Sequence, residues 1–158
     1  MFDFLNLERK KSKNGFVFGK SGVGKGVHPW DWETIAMPET KVEFVMDYEL
    51  SMSDIEILRQ GFLPKEMEDK WFVYCQADTL YFHRSWTGFC IYIVEICESH
   101  ETLRVTANRD PEQYAETTIE GDKINLAILL NSLLDKPYEE LREQYIKHIR
   151  NLILKGEE

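Results

Sequence analysis

At 158 residues, with 43% apolar and 13% aromatic side chains, the chain is long enough to bury one core and too short for two independent ones. No apolar run comes near the roughly 20 residues of a membrane-spanning helix, which sets membrane insertion aside. The net charge of −9 conceals an asymmetry: residues 1–26 hold six basic and two acidic side chains, leaving 13 basic and 26 acidic in the remainder, a net of −13 that repels nucleic-acid phosphates and attracts basic proteins.

The opening Met1-Phe2-Asp3-Phe4-Leu5 lacks the basic region, apolar core and cleavage site of a secretory signal, so the cytoplasm is the expected compartment. Residues 1–40 read as a basic, Gly-rich, partly ordered segment ahead of a single α+β domain at 41–158. Within that segment, Gly19-Lys20-Ser21-Gly22-Val23-Gly24-Lys25-Gly26 resembles the Walker A loop of nucleotide-binding ATPases, except that Gly26 stands where a magnesium-holding hydroxyl belongs. The loop should also lead into a helix, yet Pro29 follows closely and disfavours one. A basic loop with weak anion affinity is the better reading. Next, His28-Pro29-Trp30-Asp31-Trp32 puts two tryptophans close together, which predicts packing against the body.

Residues 41–50 alternate between Val42, Phe44, Met46, Tyr48 and Leu50 on one side and Lys41, Glu43, Asp47 and Glu49 on the other, a half-buried strand. Ser53 and Glu56 then have capping-box spacing, and Ile55, Leu58 and Phe62 share a face of a short helix ended by Gly61 and Pro64. Apolar and β-branched runs at 71–76, 79–86, 89–98 and 103–106 are joined by short polar turns, which makes neighbours antiparallel. The third run is apolar on both parities and so predicts a central strand with cover on both faces, part of which dimerisation could supply. Asp122 is placed to cap a helix carrying Ile124, Ile128 and Leu129. Pro137 ends it, and a second helix spans about 138–154. The expected fold is α+β: an antiparallel meander of about five strands, one short helix inserted after the first strand, and two C-terminal helices.

The densest polar stretch is Leu80-Tyr81-Phe82-His83-Arg84-Ser85-Trp86-Thr87-Gly88. Strand alternation places Tyr81, His83 and Ser85 on one face and Phe82, Arg84 and Trp86 on the other. His83 and Ser85 are therefore the candidate catalytic pair, although a carboxylate would have to orient the imidazole, and Asp69, Asp78 and Glu95 are the carboxylates at hand. Trp71, Tyr81, His83, Arg84 and Trp86 are the candidate ligand-binding residues. A histidine satisfied within the sheet, and an arginine stacked on aromatics, is the blander and favoured account of the same residues. Cys97 and His100 make only one metal-ligand pair, so no metal site is expected, and Cys75, Cys90 and Cys97 read as structural thiols. No cofactor motif is complete.

The segments Met67-Glu68-Asp69-Lys70-Trp71-Phe72, His83-Arg84-Ser85-Trp86-Thr87-Gly88 and Asn108-Arg109-Asp110 resemble a pattern shared by small uncharacterised bacterial proteins, over roughly residues 42–134. That resemblance implies a bacterial source and brings no activity with it. The expectation for function is a non-enzymatic interaction module, immunity- or antitoxin-like, whose acidic surface takes a basic protein, with homodimerisation allowed and no nucleic acid or membrane. The alternative is a small-molecule or anion-binding protein, or a hydrolase, with a pocket near His83.

Overall fold

A computed structural model describes residues 26–156. The Walker-A-like loop, apart from Gly26, lies outside the described residues. A single 3-10 turn, Pro29–Asp31, precedes strand β1 (Lys41–Asp47), helix α1 (Met52–Gln60), strands β2 (Trp71–Gln76), β3 (Thr79–Arg84), β4 (Cys90–Ile96) and β5 (Thr102–Asn108), and helices α2 (Ile119–Leu133) and α3 (Glu139–Gly156). The sheet is antiparallel throughout, in the order β1-β5-β4-β3-β2, as the α+β reading anticipates. β2 to β5 form the meander, while β1 closes the far edge beside β5, with Phe44 opposite Val105. β4 is the central strand.

One face of the sheet is the core. Leu80 and Phe82 of β3, Tyr92 and Val94 of β4, and Leu103 and Val105 of β5 are fully buried, and α2 lays Leu126, Ile128, Leu129 and Leu130 into the same cluster. Almost every turn of α2 is buried because the helix lies between sheet and α3, whereas α3 buries little more than Tyr145 and His148. The opposite face is only half covered. At the β2–β3 side Phe72, Tyr74, Tyr81 and His83 form an aromatic tier, on which Trp32 lies with its ring 6.0 Å from Phe72. Toward β1, residues Glu43, Val45, Glu95 and Arg104 stand exposed.

Residues 26–36 hold to this second face by a few directional bonds. Val27 N–H donates to Gln60 O, Trp32 Nε1–H to Ser85 O, and Ile35 N–H to Gly88 O. The predicted packing therefore holds for Trp32 and not for Trp30, which is 76% exposed and stacked on His28.

Two helix starts differ from expectation. α1 is capped by Ser51, whose Oγ accepts from Asp54 N–H while Asp54 Oδ2 accepts from Ser51 N–H; Ser53 sits within the helix. Its capping box is two residues early because Asp54 also meets Lys136 at 2.8 Å. α2 starts at Thr118, whose Oγ1 accepts from Gly121 N–H, and Asp122 turns inward to a buried ion pair with Arg109. Among the described residues no helix is long and apolar enough to cross a membrane.

Candidate functional site

The two-residue turn at Ala77 and Asp78 sets Trp71 of β2 directly opposite Arg84 of β3, both on the core face. The Arg84 guanidinium lies 5.5 Å from the Trp71 ring centre, and Trp71 stacks in turn on Tyr92. Neither α2 nor α3 fills the space beyond this pair. A cleft of about 400 Å³ remains, walled by Trp71 and Arg84 on the sheet, by residues 111–117 along one side, and by Asn125, Tyr145, Ile149 and Leu152 from the helices. A second hollow of about 330 Å³ continues it past Arg84, Glu112 and Gln113 to Lys70, Trp86 and Phe89. Together they fall in the range that small-molecule sites occupy, roughly 300–1,000 Å³.

The floor is polar and well ordered. Asn125 Nδ2–H donates to the hydroxyls of Tyr92 (3.0 Å) and Tyr114 (3.2 Å), and those two hydroxyls bond each other beside Asp122. Burial pushes the Asp122 carboxyl up to about 6, against the opposing pull of Arg109. Glu116 is fully engaged: Oε1 accepts from Tyr145 OH at 2.9 Å, and Oε2 accepts from Thr117 N–H, Thr118 N–H and Thr118 Oγ1–H. Gln113 is held by Asn108, whose Nδ2 also bonds Cys90 O. Chains of this kind keep a cavity wall in one shape, because a half-satisfied buried network is costly.

Two donors on residues that line the cleft are not so engaged. Trp71 is 3% exposed, and its indole N–H finds no acceptor among the described residues. The Lys70 ammonium rests 3.5 Å above the Trp86 ring, with no carboxylate in salt-bridge range among the described residues.

The five ligand-binding candidates from the sequence thus divide. Trp71, Arg84 and Trp86 line the joined cleft. Tyr81 and His83 face the other side of the sheet, where His83 stacks on Tyr74 and its Nδ1–H donates to Gly88 O at 2.9 Å. This bond leaves the Nε2 lone pair buried, and burial lowers the imidazole's pKa. Ser85 is not beside His83; its Oγ–H donates to Asp69 O at 2.6 Å. Asp69 in turn accepts from Lys65 and Glu66 N–H, and Trp86 Nε1–H donates to Met67 O. The Met67–Trp71 and His83–Gly88 stretches therefore zip to each other; Lys70, Trp71, Arg84, Trp86 and Thr87 of them line the cleft, while Met67, Asp69 and Ser85 line a separate hollow beside Trp32.

Sequence reasoning did not reach Tyr114, Glu116, Asn125 or Tyr145. A further row, Glu120 to His148 Nδ1 at 2.8 Å and His148 Nε2 to Thr118 Oγ1 at 2.9 Å, has the order of a carboxylate–imidazole–hydroxyl relay. The Thr118 hydroxyl is already spent on the α2 cap and on Glu116, so the row pins α3 to the start of α2. No cluster of three or more His, Cys, Asp or Glu among the described residues could hold a metal ion. Burial pushes the Cys75 thiol up to about 11 and that of Cys90 to about 12, which keeps both thiols protonated. No protein-family model matches the chain, and no curated protein or solved structure matches it significantly.

Proposed function

We propose that the chain is a small-molecule-binding module whose ligand occupies the cleft over Trp71 and Arg84. The observation that carries this is the cleft of about 400 Å³ that the Trp71–Arg84 pair, residues 111–117 and the side chains of α2 and α3 leave unfilled. The hydrogen-bonded Tyr92–Tyr114–Asn125 floor supplies rigidity, and the Ile149 and Leu152 wall supplies apolar area. No nucleophile with a free general base lies in the cleft among the described residues, so binding is the activity assigned.

The test is a thermal-shift screen of polar metabolites against the native chain and Ala115→Trp. Ala115 is an exposed wall residue, so the variant fills the cleft without disturbing the core. Ligands that raise the native melting temperature and leave Ala115→Trp unmoved support the reading. Ligands that shift both alike place the site elsewhere.

A second reading, capture of a basic protein by the acidic surface, draws on a different observation: the sheet face over β1 is open and presents Glu43, Asp47 and Glu95, the last paired with Arg104, beside Lys41. It predicts a complex whose affinity falls steeply with salt. An affinity equal at low and high salt removes it.

A further inference from the structure

The two edges of the sheet end differently. On the outer side of β2, Phe62 N–H donates to Val73 O and Val73 N–H to Phe62 O, so the chain after α1 guards that edge. On the outer side of β1 no strand pairs among the described residues. Arg109 N–H donates to Thr40 O and Tyr48 N–H to Glu101 O, which fixes the phase of the ladder: even-numbered residues of β1 turn their N–H and C=O toward β5. Lys41, Glu43, Val45 and Asp47 turn theirs outward. A bare edge is a template for another strand, and proteins blunt one with charges, proline, a bulge or a short strand. β1 has no proline and pairs with β5 without a break over all seven residues. Its core-face residues Val42 and Phe44 are only half-buried, and Val45 is 54% exposed on the other face.

We infer that β1 pairs with β1 of a second copy of this chain, antiparallel about a two-fold axis at Phe44, to make one continuous sheet. That axis sets Lys41 opposite the partner's Asp47, Val42 opposite the partner's Met46, Glu43 opposite the partner's Val45, and the two Phe44 rings opposite each other. Outward-turned groups then meet outward-turned groups, and both core faces lie on the same side. Lys41 and Asp47 are exposed, are in no ion pair among the described residues, and face the neutral Asn108 and Thr102 on β5, so each is available to the other copy. Charges that would guard the edge are thus complementary about this axis. Neighbouring registers lack that match. An axis at Glu43 sets Glu43 against itself, and one at Val45 sets Glu43 against Asp47; like charges directly opposite disfavour pairing. Because the β2 edge is engaged, the assembly closes at two copies. This inference is independent of the cleft, whose sheet wall belongs to β2 and β3 at the far edge.

The experiment is sedimentation velocity of the full chain from roughly 10 μM to 1 mM, the range in which a small interface acts, with amide hydrogen exchange read by NMR at both ends. A monomer–dimer equilibrium is expected, with the Glu43 and Val45 N–H groups protected at the high concentration and unprotected at the low one. Val45→Pro removes an outward donor and leaves the β5 ladder whole, so it should weaken dimerisation about tenfold or more. Lys41→Glu and Asp47→Lys each set like charges against each other and should each weaken it roughly fivefold. An equimolar mixture of these two variants regains both ion pairs and should associate as the native chain does. If Val45→Pro fails to fold, the mixture decides alone.

A chain that stays monomeric at the highest concentration overturns the inference. So does a dimer indifferent to Val45→Pro and to the charge variants, which places the interface elsewhere. A mixture no better associated than its separate components overturns the register. Glu43 and Val45 N–H groups already protected in the dilute monomer would mean that residues 1–25 of the same chain fill the edge, which overturns the second copy as its occupant.

Discussion

Trp71 and Arg84 face each other across β2 and β3, the guanidinium 5.5 Å from the indole ring centre, and this cross-strand pair makes one wall of the cleft. The stack depends on a planar cation. Arg84→Lys is expected to lose about 0.5–1 kcal/mol of stability in urea denaturation and to weaken cleft ligands. Arg84→Lys with unaltered stability and affinity would show the stack to be incidental.

Asp122 gives a pH prediction. Its carboxyl is raised from an ordinary 3.8 to about 6 in the folded chain. Between those values the folded chain holds a proton that the unfolded chain releases, so this group makes stability fall as pH rises from about 4 to about 6, and it adds no slope above that. Asp54 and Asp78 are shifted the opposite way and contribute the reverse slope at lower pH, a contribution common to native chain and variant. The unfolding free energy of the native chain minus that of Asp122→Asn should therefore decline across pH 4–6 and level off by pH 7. Parallel curves would contradict the assignment.

Gly88 anchors residues 26–36. Its φ is +79°, a Cβ there would meet Glu33 O at 2.7 Å, and its own carbonyl accepts from both Ile35 N–H and His83 Nδ1–H. Gly88→Ala is expected to cost about 2 kcal/mol or more. It should also release Trp32 from Phe72, visible as increased accessibility of Trp32 to a soluble quencher. A fully stable Gly88→Ala would mean that the strip is not held through this turn.

The β2–β3 turn can be improved. Ala77 and Asp78 both adopt left-handed backbone, φ 50° and 56°, which alanine tolerates poorly and asparagine readily. Ala77→Asn should stabilise the chain by about 0.5–1 kcal/mol in thermal and urea unfolding, leaving the Asp78–Arg59 pair in place.

The strands were readable because their side chains alternate and their turns are short, and the 77–78 turn already implies that Trp71 meets Arg84. The helix starts were not, because Ser51-x-x-Asp54 and Ser53-x-x-Glu56 are both capping-box frames. The contact of Asp54 with Lys136, 82 residues away, favours the first frame. Asp122 looked like a cap for the same reason, since its pairing with Arg109 is tertiary. The cleft was half legible. Trp71, Arg84 and Trp86 stand out as polar-tipped aromatics and a cation in strands, whereas Tyr114, Asn125 and Tyr145 come together only through the way α2 and α3 pack on the sheet. The bulge that sets Cys90, not Ile91, opposite His83 also has no local signal.

The corner at Ser85 gathers three of the four tryptophans: Trp32 donates to Ser85 O, Trp86 stands on the rim and Trp71 forms the wall, while Trp30 is exposed and stacks on His28. The molecule therefore carries its own optical reporter. Filling the cleft changes the polarity around Trp71 and Trp86 together, while Trp30, bathed in water, supplies a steady background emission. Occupancy can thus be followed by the intensity and colour of native fluorescence, with no label attached and no assay for a product.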